Sequence, residues 1–313
     1  MNRSRMADLS LLLVAMMWGC TFLIVQSAVR VLPPLAFNST RFTGAALLLA
    51  LITATFYRRE WMKLSWSMVR HSLLLGVFLF MGYGFQTVGL LYTTTSNTGF
   101  ITGLSVVLVP FLSLALLKHS ISRYTWFSAV LAAAGLYLLT FTGTAMSLNK
   151  GDGLILLCAV AFALQVAYTG VYAPRYPALP LAALQLAVVG LLSIAGSLIF
   201  EGAGTLAQAG ELIGKPDVLW ALLISIGPTS AFAFWIQTAC QKYTTPSRVA
   251  IIYAMEPVFA AQTGLAFGGE TLGVSALWGC LCILAGMLMA ELTPEPGHFK
   301  RNYLFSYRPF RKK

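Results

Sequence analysis

"FQTVGLLYTTTSNTGFITGLSVVLVPFLSLALLKHSI", residues 85–121, aligns with "IQTACQKYTTPSRVAIIYAMEPVFAAQTGLAFGGETL", residues 236–272, at a shift of 151. Gln86, Thr87, Tyr92, Thr93, Thr94, Ile101, Val107 and Leu114 meet identical residues, and Ala134 and Gly135 carry the match further. The chain is expected to contain one unit twice, with its working site where the copies meet.

Composition sets the medium in which those copies fold. Of 313 residues, 58% are hydrophobic and only 10% charged, far too few charges for a soluble domain of this length. The expected fold class is an all-α polytopic membrane protein. Ten apolar stretches can cross ~30 Å of hydrocarbon: 8–29, 35–57, 71–91, 96–117, 124–142, 153–173, 180–200, 218–240, 248–268 and 271–291. Pro33, Pro34, Pro177, Pro180, Pro216 and Pro246 mark the connections, where proline starts or stops helices cheaply. The N-terminal run "MNRSRMADLSLLLVAMMWGCTFLIVQSAV" has a basic start but no small-residue cleavage site, so it reads as an uncleaved first helix. The connections are too short to fold alone, which leaves no room for an aqueous domain.

Orientation follows from lysine and arginine. With the N-terminus cytoplasmic, the inner side holds 17 of the 21 basic residues and the outer side only Arg30, Lys150 and Lys215, with Arg41 inside a span. Both termini are therefore expected in the cytoplasm. A unit of five spans is odd, so the second copy enters the membrane from the opposite face. The expected organisation is two inverted five-helix repeats, 8–142 and 153–292, followed by a cytoplasmic tail, 293–313.

On these motifs the chain resembles the EamA-type branch of the drug/metabolite transporter superfamily, over residues 8 to about 292. The marks are "MMWGCTFL" in span one, "STRFTGAALLLA" in span two, the Tyr-Thr-Thr opening of span four and "AMEPVFAAQTGLAFGGETL" in span nine. One departure is His119 where the second copy has Glu270. The resemblance implies movement of small metabolites such as amino acids, amines or related solutes across a bacterial inner membrane, export being one direction. It also implies a central cavity walled by spans one, three, four, six, eight and nine.

Two charges inside spans single out candidate residues. Glu256 lies eight residues into span nine, roughly 12 Å from its cytoplasmic end. An unpaired charge there costs on the order of 2.5–3.5 kcal/mol. Pro257 cannot donate to the carbonyl of Tyr253 and pushes it aside, which makes a polar notch beside Glu256. The functional reading is a group that meets a substrate amine, a proton or a gate; the competing one is a carboxyl that caps backbone donors at the kink. Arg41 starts about 9 Å below the outer face, leaving a vertical gap of very roughly 9 Å to Glu256, so a direct pair is not expected. Arg41 is expected to snorkel to the outer interface, with substrate-carboxylate binding as the alternative charge role.

Aromatic and amide side chains supply the other candidates: Trp18, Tyr83, Gln86, Asn97, Phe100, Phe162, Gln165, Tyr168, Trp235, Gln237 and Tyr253. Trp18, Tyr83, Trp235 and Tyr253 are expected to face the cavity; each is also a plausible packing or interface-belt residue. Gly82, Gly84, Gly99 and Gly103 suit close helix approach. Cys20, Cys158, Cys240, Cys280 and Cys282 read as small hydrophobes, and the last two, two apart on a helix, make a poor metal clamp. The tail mixes six basic residues with five aromatics, which favours the anionic inner leaflet, a disordered solvated tail being the alternative.

The leading expectation is a secondary transporter using alternating access, since the chain has no G-x-x-x-x-G-K-[ST] loop for ATP. Its expected partners are a small-molecule substrate, the bilayer and, as a candidate coupling ion, the proton, in a monomer or homodimer. No cofactor, metal, catalytic residue or nucleic acid is expected. The alternative is a polytopic enzyme acting on lipid or a lipid-linked substrate, which needs converging acids, nucleophiles or ligands. His71, His119 and His298 sit at interfaces or in the tail instead.

Overall fold

A computed structural model of the chain describes residues 3–29, 31–93, 95–117, 121–140, 150–202, 204–205, 210, 214–267 and 273–292. His119, Glu270 and the tail 293–313 lie outside the described residues. Among the described residues there is helix but no strand. In chain order the helices are α1 Arg3–Val29, α2 Pro34–Phe56, α3 Arg58–Trp61, α4 Trp66–Gly89, α5 Thr95–Gly103, α6 Ser105–Leu117 and α7 Arg123–Thr140. The second half continues with α8 Lys150–Tyr172, α9 Ala178–Gly196, α10 Pro216–Ile226, α11 Ala233–Cys240, α12 Pro246–Tyr253, α13 Glu256–Phe267 and α14 Val274–Leu292.

The described part of each of the ten expected intervals is mostly helical. Seven stretches are both long and apolar enough to cross a membrane: Pro34–Phe56, Trp66–Gly89, Thr98–Leu116, Lys150–Arg175, Ala178–Glu201, Val218–Cys240 and Pro246–Ala266. Val274–Ala290 is a shorter apolar helix. In a bilayer, backbone groups must pair within the helix, which is why apolar runs take this form throughout.

Helix ends are set by local chemistry. Pro34 and Pro246 occupy first helical positions, where the missing N–H costs nothing. Ser65 and Thr245 accept from Met68 N and Arg248 N at 3.2 and 3.4 Å, capping α4 and α12. The N-terminus of α2 has a cap from far along the chain. Glu201 accepts from Leu35 N at 2.7 Å and Ala36 N at 3.0 Å, while Ser197 Oγ donates to the same carboxylate at 2.8 Å. A negative group at a helix N-terminus is favourable, so Glu201 ties α9 to α2.

Packing pairs reveal a pseudo-two-fold relation between the copies. Helix α2 packs on its counterpart α9, and α7 on its counterpart α14. The contact of α1 with α13 is matched by that of α8 with α6, and α4 with α8 by α11 with α1. The α7–α14 contact is close because it is lined by glycine. A Cβ at Gly135 would stand 2.7 Å from Gly279 O, and one at Gly279 would stand 2.6 Å from Gly135 O.

Candidate functional site

Two helices are interrupted at equivalent places. Between α5 and α6 the chain breaks at Leu104, and between α12 and α13 at Ala254–Met255, which differ by the repeat shift of 151. Leu104 N bonds to both Phe100 O and Ile101 O, and Met255 N turns to Ile252 O at 3.0 Å, so each break is a tightened turn. The notch expected from Pro257 does not need a proline. The first copy has Val106 at that position and breaks all the same.

The breaks border a cavity of about 360 Å³ between the two copies, a size suited to a small molecule. Trp18, Arg41, Tyr83, Gln86, Phe162, Gln165, Gln237, Tyr253, Glu256 and Pro257 line it. Walls come from α2, through Arg41, and from α7, through Leu139 and Thr140, as well as from the six expected spans. Phe100 instead packs into the neighbouring apolar core, Tyr168 stacks on Phe78 and Tyr172, and Trp235 meets Phe232 and a second core cluster. None of these three lines the cavity. The side chain of Asn97 lies outside the described residues.

Arg41 departs from the snorkelling expected of it, since it is 5% exposed and points inward. Its Nε donates to Ser230 Oγ at 2.7 Å, and its guanidinium lies 4.9 Å from the Phe42 ring centroid and 5.1 Å from that of Tyr83. The reason lies in α10 and the turn that follows. Pro228 interrupts the helix and the chain widens into a π-type turn over Gly227–Phe232, freeing backbone acceptors. Thr229 O then accepts from Trp18 Nε1 at 2.8 Å and from Arg41 Nη2 at 3.4 Å. The charge is held by hydrogen bonds and ring faces instead of by the interface.

Glu256 is partly buried at the first turn of α13 and shares the cavity with Arg41. Among the described residues no side chain or backbone donor bonds its carboxylate, and it makes no ion pair within 4.0 Å. Its backbone is packed differently: a Cβ at Gly19 would stand 2.4 Å from Glu256 O, so α1 presses on the break. The aromatic wall is continuous, with Trp18 to Tyr253 at 5.0 Å, Trp18 to Phe234 at 5.6 Å and Tyr83 to Phe162 at 5.0 Å between centroids.

A buried amide chain backs the cavity. Gln237 Nε2 donates to Gln165 Oε1 at 3.0 Å, Gln165 Nε2 to Gln185 Oε1 at 3.3 Å, and Gln185 Nε2 to Thr238 Oγ1 at 3.3 Å. Each donor is used in turn, which fixes the amide orientations. The chain leaves Gln237 Oε1 buried without a partner, and Tyr253 Oη is in the same condition. Gln185 escaped the sequence reading because span seven was not expected at the site. Its signal was an amide in an otherwise apolar run.

The cavity reaches only one end of the bundle. Its lining follows α1 from Trp18 to Val29 and α4 from Leu79 to Leu90, that is, toward their C-termini. The other end is filled by Ala7, Leu11, Ala15, Cys240, Val249 and their neighbours. There Arg248 Nη1 lies 3.7 Å from Asp8 Oδ2, and Arg248 Nε donates to Ala290 O at 3.1 Å, joining α1, α12 and α14. Asp8 was not singled out from the sequence. Lys242 Nζ donates to Tyr176 O at 2.9 Å in the same region, where burial holds its ammonium below the ordinary lysine pKa, an effect the nearby Glu60 offsets in part.

Comparison with known proteins agrees with this architecture. A family described as "EamA-like transporter family" matches twice, over residues 5–141 and 149–292. An Archaeoglobus fulgidus protein named "Uncharacterized transporter" is 32% identical over 91% of this chain and 86% of its own. A Bacillus subtilis protein named "Uncharacterized transporter YoaV" is 21% identical over 91% and 96%. A protein of known crystal structure superposes with a TM-score of 0.75 over 93% of this chain and 99% of that one, and at 20% identity it speaks to the fold alone. Because the family pattern covers both copies and their apolar helices alike, this chain is a multi-pass membrane protein that belongs to the EamA-like transporter family.

Proposed function

We propose that the chain is a secondary transporter of small amphipathic metabolites, with ten spans in two inverted halves, both termini cytoplasmic, and alternating access around the central cavity. Amino acids, amines and related solutes are the substrate class, and export is the direction considered. The observation that carries the reading is an unequal contact between symmetric helices. At the filled end α6 packs against α12, while no comparable contact joins their counterparts α13 and α5 among the described residues. Likewise α8 packs on α12, and no comparable contact joins α1 to α5 among the described residues. An inverted repeat that closes one end and splays the other has a second arrangement of similar energy, in which the roles exchange. With the N-terminus cytoplasmic, the arrangement described is outward-open.

Within this reading Glu256 is the group that meets a substrate cation or a proton, and Arg41 a cation facing the substrate's anionic group. Trp18, Tyr83, Gln86, Phe162, Gln165 and Tyr253 shape the cavity, with Pro257 beside the carboxylate. Reconstitution in liposomes tests it, with labelled amino acids, amines and nucleosides screened in the presence and absence of a pH gradient. The expected outcome is saturable movement of one class without ATP. Chemical turnover of a lipid substrate with no movement across the bilayer would replace this reading with the enzymatic one.

A further inference from the structure

A second apolar recess, of about 250 Å³, lies on the outside of the bundle between α2 and α9, away from the central cavity. Its floor is Ala46 and Ala183, its flanks are the exposed Leu47 and Leu191, and Trp61 of α3 lines one end. The other end is sealed where α2 and α9 touch: a Cβ at Gly190 would stand 2.9 Å from Thr43 N. From Thr43 to Ala50 the groove follows α2 for ~10 Å. It is thus a slot closed at its Thr43 end, with Trp61 of α3 at the other.

The chemistry at the mouth differs from that of the slot. The stretch "FYRREWMKLSW", residues 56–66, exposes Phe56, Tyr57, Met62, Leu64 and Trp66, alternating with exposed Arg58, Arg59 and Lys63. Such mixing of aromatic and basic side chains belongs at the headgroup layer. The one acid of α3, Glu60, is turned partly inward, where it acts electrostatically on the half-buried Lys242. Helix α3 therefore presents Arg58 and Arg59 outward and Trp61 to the slot. Cations at the mouth of an apolar recess between helices match an anionic headgroup followed by a hydrocarbon chain.

We propose that this recess is a binding site for one anionic phospholipid, with its phosphate on Arg58, Arg59 and Lys63 and part of one acyl chain in the α2–α9 slot. At ~30 Å³ per water-sized group, the slot takes roughly eight methylenes. Because α2 and α9 are symmetry counterparts, a bound chain lies along the seam between the two halves. The site is independent of what the central cavity carries.

Native mass spectrometry of the delipidated full chain, offered equimolar phosphatidylglycerol and phosphatidylcholine, tests the proposal. Wild-type protein is expected to retain one phosphatidylglycerol with at least about tenfold preference. Joint replacement Arg58→Gln, Arg59→Gln and Lys63→Gln, all at exposed positions, is expected to bring the two lipids near parity. Ala50→Phe fills the slot, leaves the cations in place, and is expected to lower retained phosphatidylglycerol by a similar factor. Glycerol 3-phosphate, a headgroup without a chain, is expected not to compete. Equal retention of both lipids by wild type, an unchanged preference in the triple variant, undiminished binding in Ala50→Phe, or competition by glycerol 3-phosphate would each overturn the proposal.

Discussion

The break at Leu104 and the break at Ala254–Met255 occupy the same place in the two copies, yet they present different chemistry to the cavity. In the first copy the residue after the break is Ser105, and at the equivalent position in the second it is Glu256; both line the cavity. The shared turn is therefore a property of the repeat, while the charge belongs to one half. Under the proposed alternating access, two symmetric halves need matched mechanics at equivalent breaks, because each state is the other's near mirror. Matched chemistry is not required of them, because an amphipathic solute of the class proposed differs at its two ends.

The largest expected effect comes from removing that one-sided charge. Glu256→Gln keeps the shape of the side chain and removes titration, so flux in proteoliposomes is expected to fall by roughly tenfold or more. With the proton-accepting role proposed for Glu256, what remains is expected to be independent of pH; flux that falls but keeps its pH response would assign it the substrate cation instead. Ser105→Ala, the matching change in the first copy, is expected to leave flux within about twofold, since the hydroxyl carries no charge. Equal effects at both positions would erase the distinction between the halves.

The two ends of the bundle offer a second comparison. Arg248 stands on the filled side and pairs with Asp8, while the first copy has Asn97 at the equivalent position. Closure on that side thus rests in part on an ion pair that its counterpart position has no charge to form. Arg248→Ala is expected to destabilise the described state by on the order of 3 kcal/mol, as loss of one member of a buried pair does. A cysteine probe at Ala250, which lines the cavity, should then gain reactivity from the side of the filled end. Unchanged labelling would mean that apolar packing alone holds this end shut.

A third effect is smaller and concerns the guanidinium. Arg41→Lys keeps the charge but loses the Nε bond to Ser230 and the planar contact with Phe42 and Tyr83. Half-saturation is expected to shift several-fold, by about 1 kcal/mol, with turnover less affected. A shift in turnover alone would place Arg41 in the opening motion instead of at the substrate.

The helices themselves were legible because a membrane leaves the backbone one solution, and because Pro33, Pro34, Pro177 and Pro246 punctuate the apolar runs. What was not legible was rotation about each helix axis. Helices that are apolar on all sides carry little sign of which face turns inward. Trp235 could thus be read toward the cavity and be found against Phe232, and Arg41 could be read toward the interface and be found beneath the π-type turn. Pro228 was the available signal for that turn, and Gln185 for the amide chain behind the cavity. The tight turn at Leu104 had no proline at the repeat position to announce it, so only the shift of 151 relates it to the second break.

The smallest expected effect is that of Pro257→Ala, and it separates the two possible causes of the break. If proline made the turn, alanine would restore the bond to the carbonyl of Tyr253, straighten the helix and change the rate strongly. The first copy argues otherwise, because Val106 occupies the equivalent place and the turn at Leu104 persists. Gly19 adds a second restraint, since α1 lies so close to Glu256 O that straightening there would require the two helices to part. Flux in Pro257→Ala is therefore expected to stay within about threefold of wild type and to keep its pH dependence. Separately, folding stability is expected to change by only ~1 kcal/mol or less, through the unfolded chain. Loss of transport comparable to that of Glu256→Gln would assign the hinge to Pro257 and make the two breaks mechanically different.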